Sequence, residues 1–327
     1  VLLQKLNETD IAASIRTNNV SVVDHASAPQ SPVRPQKRRL AGIGLLVGLL
    51  AGLGLVLARD YFANTIRDPE EIERYLHLDL LATIPRYDES NLDLATEAYQ
   101  NLRTALLFAR GDGEGQVVLV TGSAPQEGKT TTIVNLARLL ASAGEKTIVL
   151  DCDLRRAQLH QRLSLPREPG FTDYFVKKDS LDSLVRPTSV PNLFALTAGT
   201  LPPNPPALLA RKQLGELVRA LRAGFEWVLV DSPPLASVTD ALLLARHADQ
   251  TLLVVQHNKV DKKVVKRCAA ALRKVAPSLL GAVLNAVDVK ARSYHYYYYP
   301  QGERTRGGGP PEKAGAAERK PATPAGA

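Results

Sequence analysis

Apolar and polar positions divide the chain into three regimes. From Leu40 to Ala58 the stretch LAGIGLLVGLLAGLGLVLA runs for 19 residues without a charge. A helix of that length is about 28 Å long, close to the hydrocarbon thickness of a bilayer, so the pattern predicts a transmembrane helix over 40–58. Gly44, Gly48 and Gly52 recur every four residues and share one helix face, a spacing that lets a second helix approach closely. From Leu94 the pattern changes. Continuous apolar runs QVVLVT (116–121), KTIVLD (146–151), EWVLVD (226–231), TLLVVQ (251–256) and GAVLN (281–285) alternate with helical stretches. Runs apolar at successive positions suit strands covered on both faces, which predicts an α/β fold: a parallel sheet flanked by helices. Past Ala291 the sequence turns rich in Pro, Gly and Ala, with nothing to bury, and is expected to be disordered.

The joints between these regimes have their own signals. Leu2 to Ile15 reads as the end of a helix, and SVVDHASAPQSPVRPQ as a short strand and a proline-bearing linker. DPEEIERYLHLDLLATIP reads as an acidic-capped helix and a short strand leading into the globular region. The expected division is 1–39, a span at 40–58, a juxtamembrane linker at 59–93, a catalytic-type domain at 94–290, and a tail at 291–327.

Composition narrows this little. The chain has 327 residues, 45% of them hydrophobic and 23% charged, with a net charge of +8 that admits nucleic acid, a membrane surface or polyanions alike. Its two cysteines, Cys152 and Cys268, form no metal-ligand spacing and no disulfide framework. The chain opens on Val1 and contains no methionine, so it is expected to be a piece lacking its natural start. Four basic residues before the span (Arg34, Lys37, Arg38, Arg39) against three after it (Arg59, Arg67, Arg74) leave its orientation open.

The chemistry concentrates after the first strand. TGSAPQEGKTTTIVNLA (121–137) matches a phosphate-binding loop, except that Ser123 stands where the first glycine is usual. Loop N–H groups from Ser123, Gln126, Glu127, Gly128 and Thr131, with a helix N-terminus behind them, would cradle the β- and γ-phosphates of ATP. Lys129 would add positive charge, and the Thr130 hydroxyl could coordinate Mg²⁺. EWVLVDSPP puts Asp231, and TIVLDCDLRR puts Asp151 and Asp153, at the ends of other strands. In an open parallel sheet these ends share one edge with the loop, so three carboxylates converge there. That exceeds the needs of one Mg²⁺, which frees a carboxylate to take the proton of an acceptor hydroxyl.

The acceptor is suggested by SYHYYYYP. Tyr294, Tyr296, Tyr297, Tyr298 and Tyr299 are five of the chain's ten tyrosines. The last predicted strand ends at Asn285, and the nine residues to Tyr294 span at most about 30 Å, which tethers the cluster near the same edge. Five phosphates would add roughly −8 to −10 to the tail. Against an acidic active-site edge that charge would favour release.

These residues together resemble the bacterial tyrosine kinase (BY-kinase) family, and the chain is similar to the C-terminal part of a polysaccharide co-polymerase fused to its autokinase. The likeness is carried by NNVSVVDHASAPQSPVRP, the span, RDPEEIERYLHLDLLATIP, EAYQNLRT, the three nucleotide motifs, LPPNPPALLA and the tyrosine-rich end, with VLDCDLRR its most specific piece. The resemblance implies a phosphate-loop NTPase-type sheet in the cytoplasm, one span in the bacterial inner membrane, and a periplasmic segment before it. It assigns Lys129 to the phosphates, Thr130, Asp153 and Asp231 to Mg²⁺, and Asp151 to the tyrosine hydroxyl as base. It also implies a homo-oligomer phosphorylating neighbouring tails, a tyrosine phosphatase, and a link to polysaccharide polymerase and export machinery. In EAYQNLR, Glu97 and Arg103 match the family's oligomerisation motif, while Gln100 replaces its first arginine. Two rival readings are a partitioning-type ATPase, whose loop would begin with a lysine where Ala124 stands, and a co-polymerase whose nucleotide only holds an assembly. VDKKVVKRCAAALRK (260–274) reads as a solvated basic face or an anionic-lipid contact; with no recognised reading module, nucleic acid is not expected as a partner.

Overall fold

The computed structural model describes Asp24 and residues 36–62, 64–88, 91–111 and 115–288. The elements expected before the span, apart from Asp24, and the tyrosine cluster and tail lie outside the described residues. The chain forms two compact units, one through Ala63 and one from Asn64 onward.

In the first unit, α1 (Lys37–Phe62) is a single helix of 26 residues, so it extends past both ends of the predicted span. The N–H groups of Arg39 and Leu40 bond the Gln36 carbonyl, and lysine and arginine are good helix formers, so the basic flank continues the helix outward. The stretch from Lys37 to Ala58 is long and apolar enough to cross a membrane. Its leucines and valines are exposed within the unit.

The second unit is built on an eight-stranded sheet. Its strands are β1 (Leu80–Pro85), β2 (Gln116–Gly122), β3 (Thr147–Asp151), β4 (Arg186–Pro187), β5 (Leu193–Leu196), β6 (Trp227–Asp231), β7 (Gln250–Gln256) and β8 (Leu279–Val287). Their order is β1-β8-β7-β2-β6-β3-β5-β4, and all pairs are parallel except the short β4–β5 edge. The five apolar runs legible in the sequence form five central strands, and their residues alternate between two cores. Val117, Leu119, Ile148, Leu150, Val228 and Val230 face one layer, and Val118, Val120, Val149, Leu229 and Val254 face the other. Both faces need cover, which is why these strands read as unbroken apolar runs.

Helices α2 (Leu92–Phe108) and α3 (Lys129–Ser142) pack on the second face through Leu102, Leu106, Ile133 and Leu136. On the first, α4 (Gln213–Gly224), α5 (Asp240–Ala245) and α6 (Lys262–Arg273) bury Leu217, Leu244 and Val265. The segment from Asn64 to Pro85 belongs to this unit. Asp68 precedes a helical turn at Pro69–Glu71, and Glu71 reaches back to the N–H groups of Arg67 and Asp68 at 2.9 and 3.4 Å. The turn continues through Ile72–Leu76, whose Ile72 and Leu76 are core residues, before β1 adds to the sheet edge beside β8.

Candidate active site

Strand β2 lies inside the sheet, with β6 on one side and β7 on the other, so the chain connections diverge around it. In such sheets the crevice beyond the strands' C-terminal ends binds ligands. The loop between β2 and α3 occupies that crevice. Gln126 and Gly128 both take left-handed backbone, with φ of 60° and 90°. Only glycine does so without a side-chain penalty, and a Cβ at Gly128 would also collide with the Asn285 side-chain amide. Ser123 is outside the left-handed region, so glycine is not required there. Its carbonyl accepts from Ala236 N–H at 3.0 Å, which ties the loop to the turn after β6.

The structure brings the expected side chains together at this edge. Thr130, in the first turn of α3, donates its hydroxyl to Asp231 Oδ2 at 2.6 Å. Asp231 and Asp151 are register partners on β6 and β3, so two buried carboxyl groups sit on adjacent strand ends. Each keeps one buried oxygen without a partner; the other oxygen of Asp151 accepts from Leu159 N–H at 3.1 Å. Burial and the neighbouring Asp231 push Asp151 well above the usual carboxylate range. Burial likewise lifts Asp231 to about 7, against the opposing pull of the Thr130 hydroxyl bond. Asp153 projects further out and accepts from the backbone of Arg156 at 3.0 Å.

Lys129 is almost fully buried, and its Nζ donates to the Ala124 carbonyl at 3.2 Å. Burial lowers its pKa, while Glu127, Asp231 and Asp153 pull the other way. Glu127 is fully buried, accepts from Ala124 N–H at 2.7 Å, and is raised to about 7 by burial. A carboxylate therefore occupies one of the loop's own amides. That edge-on cluster of Thr130, Asp231 and Asp151 offers hard oxygen donors, two of them unused, which suits a small divalent cation completed by water. Among the described residues, no three or more His, Cys, Asp or Glu side chains close around a point as a full protein cage.

Above this cluster opens a cleft of about 680 Å³. Its charged lining is Lys129, Asp153, Arg155, Arg156 and Arg162; Asp151 and Asp231 lie beneath it. Arg155 is held by the buried Asp240, with Nε to Oδ2 at 2.9 Å. Thr131 and Gln126 also line the cleft. Four participants were given no role from the sequence. Asn285 donates its side-chain amide to the Glu127 carbonyl at 2.8 Å, and Lys259 donates to the Gln126 carbonyl at 2.7 Å. The rim arginines Arg156 and Arg162 complete the set. A polar residue ending an apolar strand run was the one signal available for Asn285.

Away from the cleft, Glu97 is exposed on α2, whereas Arg103 pairs within the chain with Glu145 at 3.7 Å.

Comparison with known proteins agrees with this architecture. Residues 1–61 match a family described as a G-rich domain on putative tyrosine kinase, and residues 125–280 match one described as an AAA domain. The tyrosine-protein kinase etk of Escherichia coli K12 is 30% identical over 326 residues, covering 90% of this chain and 45% of that protein. The tyrosine-protein kinase wzc of Salmonella typhimurium is 29% identical over 318 residues, with 90% and 44% covered. The chain thus spans under half the length of these relatives. Among solved structures, the kinase domain of Escherichia coli tyrosine kinase ETK superposes with a TM-score of 0.64 at 29% identity, covering 69% of this chain and 96% of that one. The BceF tyrosine kinase domain gives a TM-score of 0.62 at 32% identity, with 68% of this chain and 99% of that domain covered. At 32% identity and with 99% of that domain covered, the match shows that the chain belongs to the bacterial tyrosine kinase family.

Proposed function

We propose that this protein is a membrane-anchored tyrosine autokinase that moves the γ-phosphate of ATP to its C-terminal tyrosines. The observation that carries this reading is the 2.6 Å bond between Thr130 and Asp231 at the first turn of α3. It joins the phosphate loop to a strand-end carboxylate whose second oxygen is free. The loop N–H groups of Ser123 to Thr131 and the Lys129 ammonium bind the phosphates. Thr130, Asp231 and, nearer the cleft, Asp153 would hold Mg²⁺, which when bound neutralises phosphate charge. ATP lies in the cleft and a tyrosine enters from its open side. The tyrosine Oη–P bond forms as the bond from the γ-phosphorus to the bridging oxygen breaks, ADP leaves, and the hydroxyl proton passes to a carboxylate. Asp151, the register partner of Asp231 at the end of β3, is the carboxylate left over from the Mg²⁺ set and takes this role. Positioning and charge neutralisation supply most of the rate.

The acceptors are Tyr294 and Tyr296 to Tyr299, presented by a neighbouring copy in a homo-oligomer that Glu97 and Arg103 help to form. The kinase unit faces the cytoplasm, α1 crosses the inner membrane, and phosphorylation, reversed by a tyrosine phosphatase, tunes the polysaccharide polymerase and export machinery. The test is transfer of label from γ-labelled ATP with Mg²⁺ to phosphotyrosine, beside Lys129→Met and the pair Asp151→Asn and Asp153→Asn. Label lost in Lys129→Met and most depressed in Asp151→Asn supports the assignment. Nucleotide binding without label would instead favour an assembly role for ATP.

A further inference from the structure

The cleft has a charge opposite to that expected of its edge. The buried pair Asp151 and Asp231 lies under the floor, and the charged side chains that reach the cleft are four cations, Lys129, Arg155, Arg156 and Arg162, against Asp153 alone. Arg155 is spoken for by Asp240 at 2.9 Å. Arg156 and Arg162 are exposed, and neither forms an ion pair among the described residues. Two guanidinium groups without an ion pair, on the lining of the cleft that holds the phosphate loop, suit a phosphate dianion, which arginine binds bidentately.

The segment of this chain that fits them is the tyrosine cluster after its first phosphorylation. Unmodified, the tail around it is basic, with Lys290, Arg292, Arg304 and Arg306 against Glu303, and has no electrostatic attraction to an arginine rim. One phosphate adds about −1.5 to −2 and reverses that relation locally. With Tyr294 and Tyr296 to Tyr299 packed into a six-residue window, a phosphate held at the rim keeps the next hydroxyl within a few residues of the site, at high effective concentration. Resting on the kinase reading above, we propose that Arg156 and Arg162 hold the first phosphotyrosine of an incoming tail, so that the remaining tyrosines are phosphorylated in the same visit. ADP leaves and ATP re-enters the loop while the tail stays on the arginines. Charge therefore retains the phosphorylated tail, contrary to the release expected from an acidic edge.

Two measurements decide this. The first is intact-mass analysis of the full chain in detergent at short times with ATP and Mg²⁺. The expected pattern is unmodified and multiply phosphorylated chains with few singly phosphorylated ones, shifting in Arg156→Ala/Arg162→Ala to accumulation of the single phosphate and recovering in Arg156→Lys/Arg162→Lys. A wild-type time course that passes through the singly phosphorylated chain as its main species, or a double variant with the wild-type pattern, overturns the proposal. The second is fluorescence anisotropy of a peptide of residues 293–300, with and without phosphate on Tyr297, on the full chain with ADP and Mg²⁺ filling the nucleotide subsite. At least tenfold tighter binding of the phosphopeptide, lost in the double alanine variant, is expected; equal affinity refutes it. If no label is transferred at all, the kinase reading fails, and the peptide measurement still decides the rim.

Discussion

Glu127→Gln isolates the electrostatics of the phosphate loop. Glu127 is fully buried, its Oε2 accepts from Ala124 N–H, and its other oxygen has no partner. Glutamine keeps the shape and the acceptor but removes the charge. Burial moves the ionisation midpoint from 4.5 to about 7 in the folded chain. At about 1.4 kcal/mol per pH unit this corresponds to about 3 kcal/mol of stability. The sign follows from proton binding. Between those two pH values the folded state holds a proton that the unfolded state has released, so the carboxyl costs nothing below about pH 4.5. Its full penalty develops as pH rises past 7. The variant should therefore match the wild type near pH 4.5 and exceed it by up to about 3 kcal/mol at pH 8. The assay is denaturant unfolding without nucleotide, followed by Trp227, the chain's one tryptophan, buried in the core of the second unit. A difference that stays flat from pH 5 to 8, or a variant that becomes less stable as pH rises, would refute the reasoning.

Gly128→Ala should lower stability by about 1–3 kcal/mol through the left-handed φ of 90° and the clash with Asn285, and should weaken ATP binding measured by calorimetry. Asn285→Ala removes one buried-side hydrogen bond to the loop and should cost about 1 kcal/mol, read as roughly fivefold weaker nucleotide binding with the fold intact by circular dichroism. Asp173 is pushed up by burial but more strongly down by Lys177 and the Gly170 N–H, leaving it below the usual carboxylate value. Its contribution is present above the unfolded pKa and is lost as pH falls through the lower folded one, so Asp173→Asn should destabilise at pH 7 and much less at pH 3 in urea titrations.

The parts of the fold legible in the sequence are those written in local chemistry. Val117 to Val120 and Val228 to Val230 must be apolar at every position because helices cover both faces, so the central strands announce themselves. Gly128 and Lys129 mark the loop because phosphate binding needs that backbone. Other parts depend on distant partners. β1 reads as a short strand leading to the domain, yet it pairs with β8, some 200 residues later, and so belongs to the sheet. β5 is four residues long and β4 two, too short for periodicity to register. At the site, Asp151 and Asp231 could be placed on one edge from topology, but their depth could not. That Asp153 reaches the cleft while they lie under it depends on how the turn after β3 is bonded. Asn285, Lys259 and Arg162 carry no motif, Arg156 closes VLDCDLRR without an assigned role, and only the folded chain sets them beside the loop.

The most direct test of the kinase account is phosphotyrosine mapping by mass spectrometry on the full chain, incubated with ATP and Mg²⁺ beside Lys129→Met. The account predicts phosphate on Tyr294 and Tyr296 to Tyr299 in the wild type and none in the variant. Phosphate confined to other residues, or label that persists without Lys129, would contradict it.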